Sequence, residues 1–149
     1  MTEPLFDRVA LLGIGLIGSS LSHAMRRRSL ARAIVGHAPS ERTRDTALRL
    51  GLVDAAFATA AEAVRGADLV MLCTPVGACA AVARQIGPAL ERGAILTDVG
   101  SVKGAVVRDV APHVTRDVHF IPGHPIAPAP SIRVRRRGLP SCSMAAGAS

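Results

Sequence analysis

The chain has 149 residues, room for one domain with a substantial core and little beyond it. No apolar stretch approaches the roughly 20 residues that span a bilayer, and Met1-Thr2-Glu3-Pro4 lacks the basic start and apolar run of a secretory leader, so a cytoplasmic protein off the membrane is expected. Of the net charge of +7, Arg133, Arg135, Arg136 and Arg137 carry +4 within 128–149, a span without acids; the +3 left to residues 1–127 is no nucleic-acid footprint, and no stacking aromatics accompany the arginine run.

Residues 8–14 are a short apolar run ending at glycines and predict a buried strand. Residues 16–29 follow with small and apolar side chains at helical spacing, and Arg26, Arg27 and Arg28 suit the negative end of a helix dipole. Residues 33–37 predict a second strand; Ser40 can cap a helix reaching Leu50, and Gly51 can end it. A brief strand over 53–57 and a short helix over 60–65 come next. The clearest central strand is 68–73, with five consecutive apolar residues after Asp68. A helix over 77–91, a strand over 94–98, a helix over 102–113 and a strand over 118–121 complete the alternation. Short strands alternating with helices predict a parallel sheet with right-handed crossovers.

The core is expected to be branched aliphatic, as suits buried parallel strands, because Trp and Tyr are absent and only Phe6, Phe57 and Phe120 supply rings. Cys73, Cys79 and Cys142 are too scattered for a metal or redox pair and read as reduced thiols, with no metal site. After Ala127 the composition breaks into Pro, Arg, Ser, Ala and Gly without either period. The expected organisation is therefore one domain over 1–127 and a disordered basic tail over 128–149.

Gly13-Ile-Gly15-Leu-Ile-Gly18 sits where the first strand ends and the first helix begins. In that context the first glycine permits a tight turn, the second lets backbone approach a pyrophosphate, and the third allows close helix–strand packing. The amides of Leu16, Ile17 and Gly18 at the helix start then face the phosphates, and Ser19 and Ser20 can add hydroxyl donors. The fold class is α/β: a Rossmann-type doubly wound, mainly parallel sheet of about six strands that binds NAD or NADP. A carboxylate at the tip of the second strand would bind the ribose 2′-hydroxyl. The sequence offers Gly36-His37-Ala38-Pro39-Ser40-Glu41-Arg42 instead, so Ser40, Arg42 and His37 are candidates for a 2′-phosphate. Equally, Ser40 can merely cap the helix and Arg42 be solvated.

Two further strand ends face the same edge, where open α/β folds bind ligands. Cys73-Thr74-Pro75-Val76 brings Thr74 and Pro75 beside the cofactor, and residues 97–103 read Thr-Asp-Val-Gly-Ser-Val-Lys. Beyond the sixth strand comes Pro122-Gly123-His124-Pro125-Ile126-Ala127. From the residues alone, Ser101 also reads as a helix cap, Asp98 as a brace for the turn's amides and Lys103 as a solvated side chain; His23, His37, His113 and His119 read as surface or element-end residues.

GIGLIGSS, CTPV, TDVGSVK and PGHPIA, in this order and spacing, resemble the nucleotide-binding half of the prephenate and arogenate (cyclohexadienyl) dehydrogenases of tyrosine biosynthesis, over residues 7–127. GSVK followed about twenty residues later by GHPIA is the specific part. The resemblance implies that His124 contacts the substrate's ring hydroxyl and that Ser101 orients it. It implies NAD(P)-dependent oxidative decarboxylation: hydride leaves the carbinol carbon for the nicotinamide, a neutral imidazole accepts the hydroxyl proton, and loss of carbon dioxide gives 4-hydroxyphenylpyruvate, or tyrosine from arogenate. It also implies a homodimer joined through a second, all-helical domain.

The resemblance stops at Ala127. The family continues with a segment like GTEHSGPEAG, whereas this chain reads Pro128-Ala-Pro-Ser-Ile-Arg-Val-Arg-Arg-Arg137. With GC-rich codons for residues 128–147, reading the same nucleotides two bases later gives GTEHSGPEAGLAELFDGRW. Residues 128–149 are therefore expected to be a frameshift product, and the chain to be catalytically incomplete. Alternative readings are another hydroxyacid dehydrogenase and a non-catalytic dinucleotide-binding fragment.

Overall fold

The structure is a computed structural model and describes residues 3–123, 125–126 and 143–144. Six parallel strands form one sheet in the order β3-β2-β1-β4-β5-β6: β1 Phe6–Leu12, β2 Ala31–His37, β3 Ala55–Phe57, β4 Leu69–Leu72, β5 Ile95–Asp98 and β6 His119–Ile121. This is the doubly wound Rossmann order, and it bears out the expected class and strand number. In register, Leu12 of β1 lies between His37 of β2 and Leu72 of β4, and Leu72 pairs with Asp98 of β5. All the strands therefore end on one edge.

Strand alternation sends apolar side chains to both faces, and each face is covered by its own helices. Val9, Leu11, Ile34 and Met71 pack with Met25 of α1 (Leu16–Arg27) and Ala47 of α2 (Glu41–Arg49). Ala10, Leu12, Val70, Leu72 and Leu96 pack with residues of α3 (Ala60–Val64), α4 (Cys79–Ile86) and α5 (Lys103–Val110). None of the helices among the described residues is long and apolar enough to cross a membrane.

The element ends depart from expectation for identifiable reasons. β1 stops at Leu12, not Ile14, because Gly13 turns the chain with φ of +105°. The helix read over 77–91 is three pieces: a 3₁₀ turn Val76–Ala78, α4, and a second 3₁₀ turn Gly87–Ala89 containing Pro88. The helix read over 102–113 likewise becomes α5 followed by a 3₁₀ turn Ala111–His113 around Pro112. Each proline lacks the N–H that the α-helical ladder needs and cannot continue it. Ser40 and Gly51 do as expected: Ser40 Oγ accepts from the Thr43 amide, and Gly51 closes the helix with φ of +69°. Separately, β7 (Pro125–Ile126) pairs antiparallel with β8 (Ser143–Met144). The span expected to carry no element thus contributes one strand, made by backbone pairing that side-chain periodicity does not register.

Candidate functional site: a cleft at the carboxyl edge of the sheet

The three glycines of the first turn do three different things. Gly13 donates its amide to the His37 carbonyl at 2.9 Å, and a Cβ there would stand 2.8 Å from the Cys73 carbonyl oxygen. A Cβ on Gly18 would collide with the carbonyl oxygen of Gly13, so only glycine lets α1 pack this closely on the turn. Gly15 is different. It precedes α1 with φ of −93°, and a Cβ there would meet nothing within 4 Å. The space before Gly15 is therefore open, and nothing in the fold itself requires glycine there.

The amides of Leu16, Ile17 and Gly18 follow Gly15 at the start of α1. They make no hydrogen bond among the described residues; the first helical bond runs from the Ser19 amide to the Gly15 carbonyl at 2.9 Å. No acid occupies the first turn and no side chain caps it. Such a terminus presents unpartnered donors and the positive end of a helix dipole. Leu16 and Ile17 expose their side chains. Ser20 does not contribute, contrary to expectation: its hydroxyl donates back to the Leu16 carbonyl at 2.8 Å.

Gly13 and Gly15 floor a cleft of about 560 Å³. The end of β2 forms one wall, from His37 to Ser40 with Thr43; Cys73, Thr74 and Pro75, with Ala78 and Val82 behind them, form the other. Five expected residues (Gly13, Gly15, Ser40, Thr74 and Pro75) thus converge on one space, whereas Leu16, Ile17 and Gly18 do not line it. Thr43, Ala78 and Val82 had no signal in the sequence beyond their place after a strand end. Arg42 lines adjoining depressions, not this cleft. His37 lies at an element end, as the last residue of β2, and is buried there, its Nδ1 donating to the Phe57 carbonyl at 3.1 Å.

Burial, with a smaller contribution from the Asp98 charge, pushes the Cys73 thiol up from 9.0 to about 12. The folded state therefore holds this proton more tightly than the unfolded chain does. The stability this confers is complete below about pH 9 and is lost as pH rises from there through about 12. Cys79 shifts in the same direction, also chiefly through burial. Thiolate-selective reagents at pH 8 should leave Cys73 unmodified in the folded chain and label it only on unfolding. Rapid labelling of Cys73 under native conditions would contradict this environment.

At the far side of the edge, Asp98 is fully buried. Its Oδ2 accepts from the Gly100 amide at 2.8 Å and from Lys103 Nζ at 2.5 Å, and its Oδ1 accepts from the Gly123 amide at 3.0 Å. Lys103 Nζ also donates to the Gly123 carbonyl. One carboxylate thus joins the end of β5, the start of α5 and the segment after β6. Asp98 braces the turn as its position suggested, whereas Lys103 is ion-paired and largely covered, not solvated. Ser101 is exposed and does not cap α5; Val102 takes that position, with no side-chain cap bond. The Ser101 hydroxyl makes no hydrogen bond among the described residues. His124, expected to be catalytic, lies outside the described residues.

Residues 21–131 match the family model for the prephenate dehydrogenase nucleotide-binding domain. That match begins beyond the glycine turn, so the two observations are independent. The chain is 38% identical over 122 residues to the cyclohexadienyl dehydrogenase of Zymomonas mobilis, covering 82% of this chain and 41% of that protein. It is 30% identical over 122 residues to the prephenate dehydrogenase of Bacillus subtilis, covering 81% and 33%. Among solved structures, prephenate dehydrogenase from A. aeolicus in complex with hydroxyphenyl propionate and NAD+ superposes with a TM-score of 0.73 at 29% identity, covering 83% of this chain and 43% of that one. Synechocystis arogenate dehydrogenase gives 0.72 at 31% identity, covering 83% and 42%. The chain spans less than half the length of each of these relatives.

Proposed function

This chain belongs to the prephenate dehydrogenase family through its nucleotide-binding domain, and we propose that its carboxyl-edge cleft holds the nicotinamide dinucleotide for oxidative decarboxylation of prephenate or arogenate in the cytoplasm. The observation that carries this reading is the open space at Gly15, at the head of a helix whose Leu16, Ile17 and Gly18 amides make no hydrogen bond among the described residues. A pyrophosphate fits that chemistry: donors converge, no acid repels it, and no side chain fills the space. Thr74 and Pro75 form the wall along which the cofactor would run, with Ser40 at the other end. When bound, the dinucleotide supplies a hydride acceptor.

Ser101 and His124 are the proposed substrate-facing residues. Ser101 is exposed beyond β5 and its hydroxyl makes no hydrogen bond among the described residues, which suits it to orient a ring hydroxyl. His124 follows Gly123, whose amide and carbonyl are both fixed by the Asp98–Lys103 pair, and it accepts the hydroxyl proton in this reading. Residues 128–149 are read as an out-of-frame product of a gene whose intact frame continues into the family's helical, dimerising domain. Sequencing the codons for residues 127–149 tests this; codons incompatible with the shifted reading would contradict it. Chain made from a frame-restored gene should oxidise prephenate or arogenate with NAD(P) and leave 3-hydroxyacids untouched, and turnover of the hydroxyacids alone would sink the assignment.

A further inference from the structure

We infer that the cleft selects the phosphorylated dinucleotide, NADPH over NADH, and that Arg42, with the hydroxyls of Ser40 and Thr43, holds the 2′-phosphate of the adenosine ribose. The inference rests on the dinucleotide reading above. Sites of this architecture select the unphosphorylated cofactor with a carboxylate at the tip of the second strand, which accepts from the ribose hydroxyls. Here the tip carries buried Ala38, and no carboxylate lines the cleft. Asp54 is held by Arg26 and by the Ile34 amide, while Glu41 and Asp45 line a depression that they share with Arg42 and Thr46.

Arg42 is exposed and makes no hydrogen bond or ion pair among the described residues, not even with Glu41 or Asp45. It lines a depression of about 250 Å³ that shares Ile14 and Thr43 with the dinucleotide cleft, so the two spaces adjoin at those residues. The loop does not need it for shape. Arg44 performs that task, donating to the carbonyls of Ala38 at 2.7 Å and Pro39 at 2.9 Å. Ser40 Oγ accepts from the Thr43 amide at 3.4 Å, which leaves its O–H free to donate. Arg42 and Thr43 line the smaller depression and Ser40 and Thr43 the cleft beside it, with no acid lining either; Glu41 and Asp45 share only a third depression with Arg42. A guanidinium and two hydroxyls in that arrangement suit a phosphate dianion and offer a ribose hydroxyl no comparable acceptor.

The test is separate titration of NADPH and NADH into the full chain at low ionic strength, read by nicotinamide fluorescence. NADPH should bind roughly tenfold or more tightly than NADH, the yield of a charge-assisted hydrogen bond or two, and added salt should narrow the gap. Arg42→Gln, an exposed change, should weaken NADPH to the level of NADH and leave NADH unchanged. Ser40→Asp, which keeps a helix cap but sets a carboxylate on the wall, should reverse the preference. NADH binding as tightly as NADPH to the unmodified chain, or a preference that survives Arg42→Gln, overturns the inference while leaving the dinucleotide reading intact. Failure of both nucleotides to bind overturns that reading and the inference with it.

Discussion

Gly15→Ala is expected to weaken dinucleotide binding by roughly 10- to 100-fold, the effect of forcing a methyl group into an occupied contact, while the chain melts within a few degrees of the unmodified protein. The two effects separate because the fold does not use the space that the ligand needs. The Gly15 backbone is extended and a Cβ there meets no atom within 4 Å, so the only folding cost is a poorer residue at the helix start, about 1 kcal/mol or less. Gly13→Ala should behave oppositely. Its φ of +105° is strained for any side chain, and the Cβ would meet the Cys73 carbonyl oxygen at 2.8 Å, a backbone atom that cannot swing aside. A loss of about 3 kcal/mol follows, a fall in melting temperature on the order of 10 °C. Thermal melts of both variants beside a nucleotide titration check the contrast. A Gly15→Ala chain that binds normally would show that the space before Gly15 is not the pyrophosphate site.

Asp98→Ala is expected to destabilise the chain by about 3 kcal/mol, the low end for breaking a buried pair because Lys103 retains some contact with water. The substitution strands two donors at once, the Gly100 amide and the buried Gly123 amide, and leaves the Lys103 ammonium without its counter-charge. Orphaned donors, not the loss of attraction as such, set the size of the effect. Lys103→Met should cost less, since the carboxylate keeps its two amides. Adding Lys103→Met to Asp98→Ala should cost less than Lys103→Met alone, because the bond to Asp98 is already gone and only the donation to the Gly123 carbonyl is left to lose; chemical denaturation of the four forms measures that coupling. Additive losses would mean that the two side chains act independently, contrary to the geometry.

The parts of the fold that depend on short-range pattern were legible in the sequence. A short apolar run such as 69–73 in regular alternation with helices reads as a buried strand, and glycines at 13, 15 and 18 between a strand and a helix imply the turn that is found. Parallel order followed from alternation, and the shared edge followed from parallel order. What escaped depends on partners distant in the chain. Lys103 looked solvated because its partners, Asp98 and Gly123, meet only once β5 and β6 lie side by side. Ser101 looked like a cap, yet α5 begins two residues later, at Lys103. Ser20 looked like a phosphate donor, but its own helix offers the Leu16 carbonyl at closer range. Within the cleft, the glycines, Ser40, Thr74 and Pro75 could be placed from motif and strand end. The adjoining position of Arg42 and the bracing of the loop by Arg44 required the packing of α2.

The central claim is that a nicotinamide dinucleotide lies along the carboxyl edge of the sheet, with its pyrophosphate on the amides that open α1. Hydrogen–deuterium exchange of the full chain with and without saturating NADH or NADPH tests this most directly, because those amides have no partner among the described residues and should exchange fast. The account predicts strong new protection over residues 15–18, with weaker protection over 74–78, and no change at the opposite edge around Asp68 and Ile95. Unchanged exchange over 15–18 in the presence of bound nucleotide would contradict it.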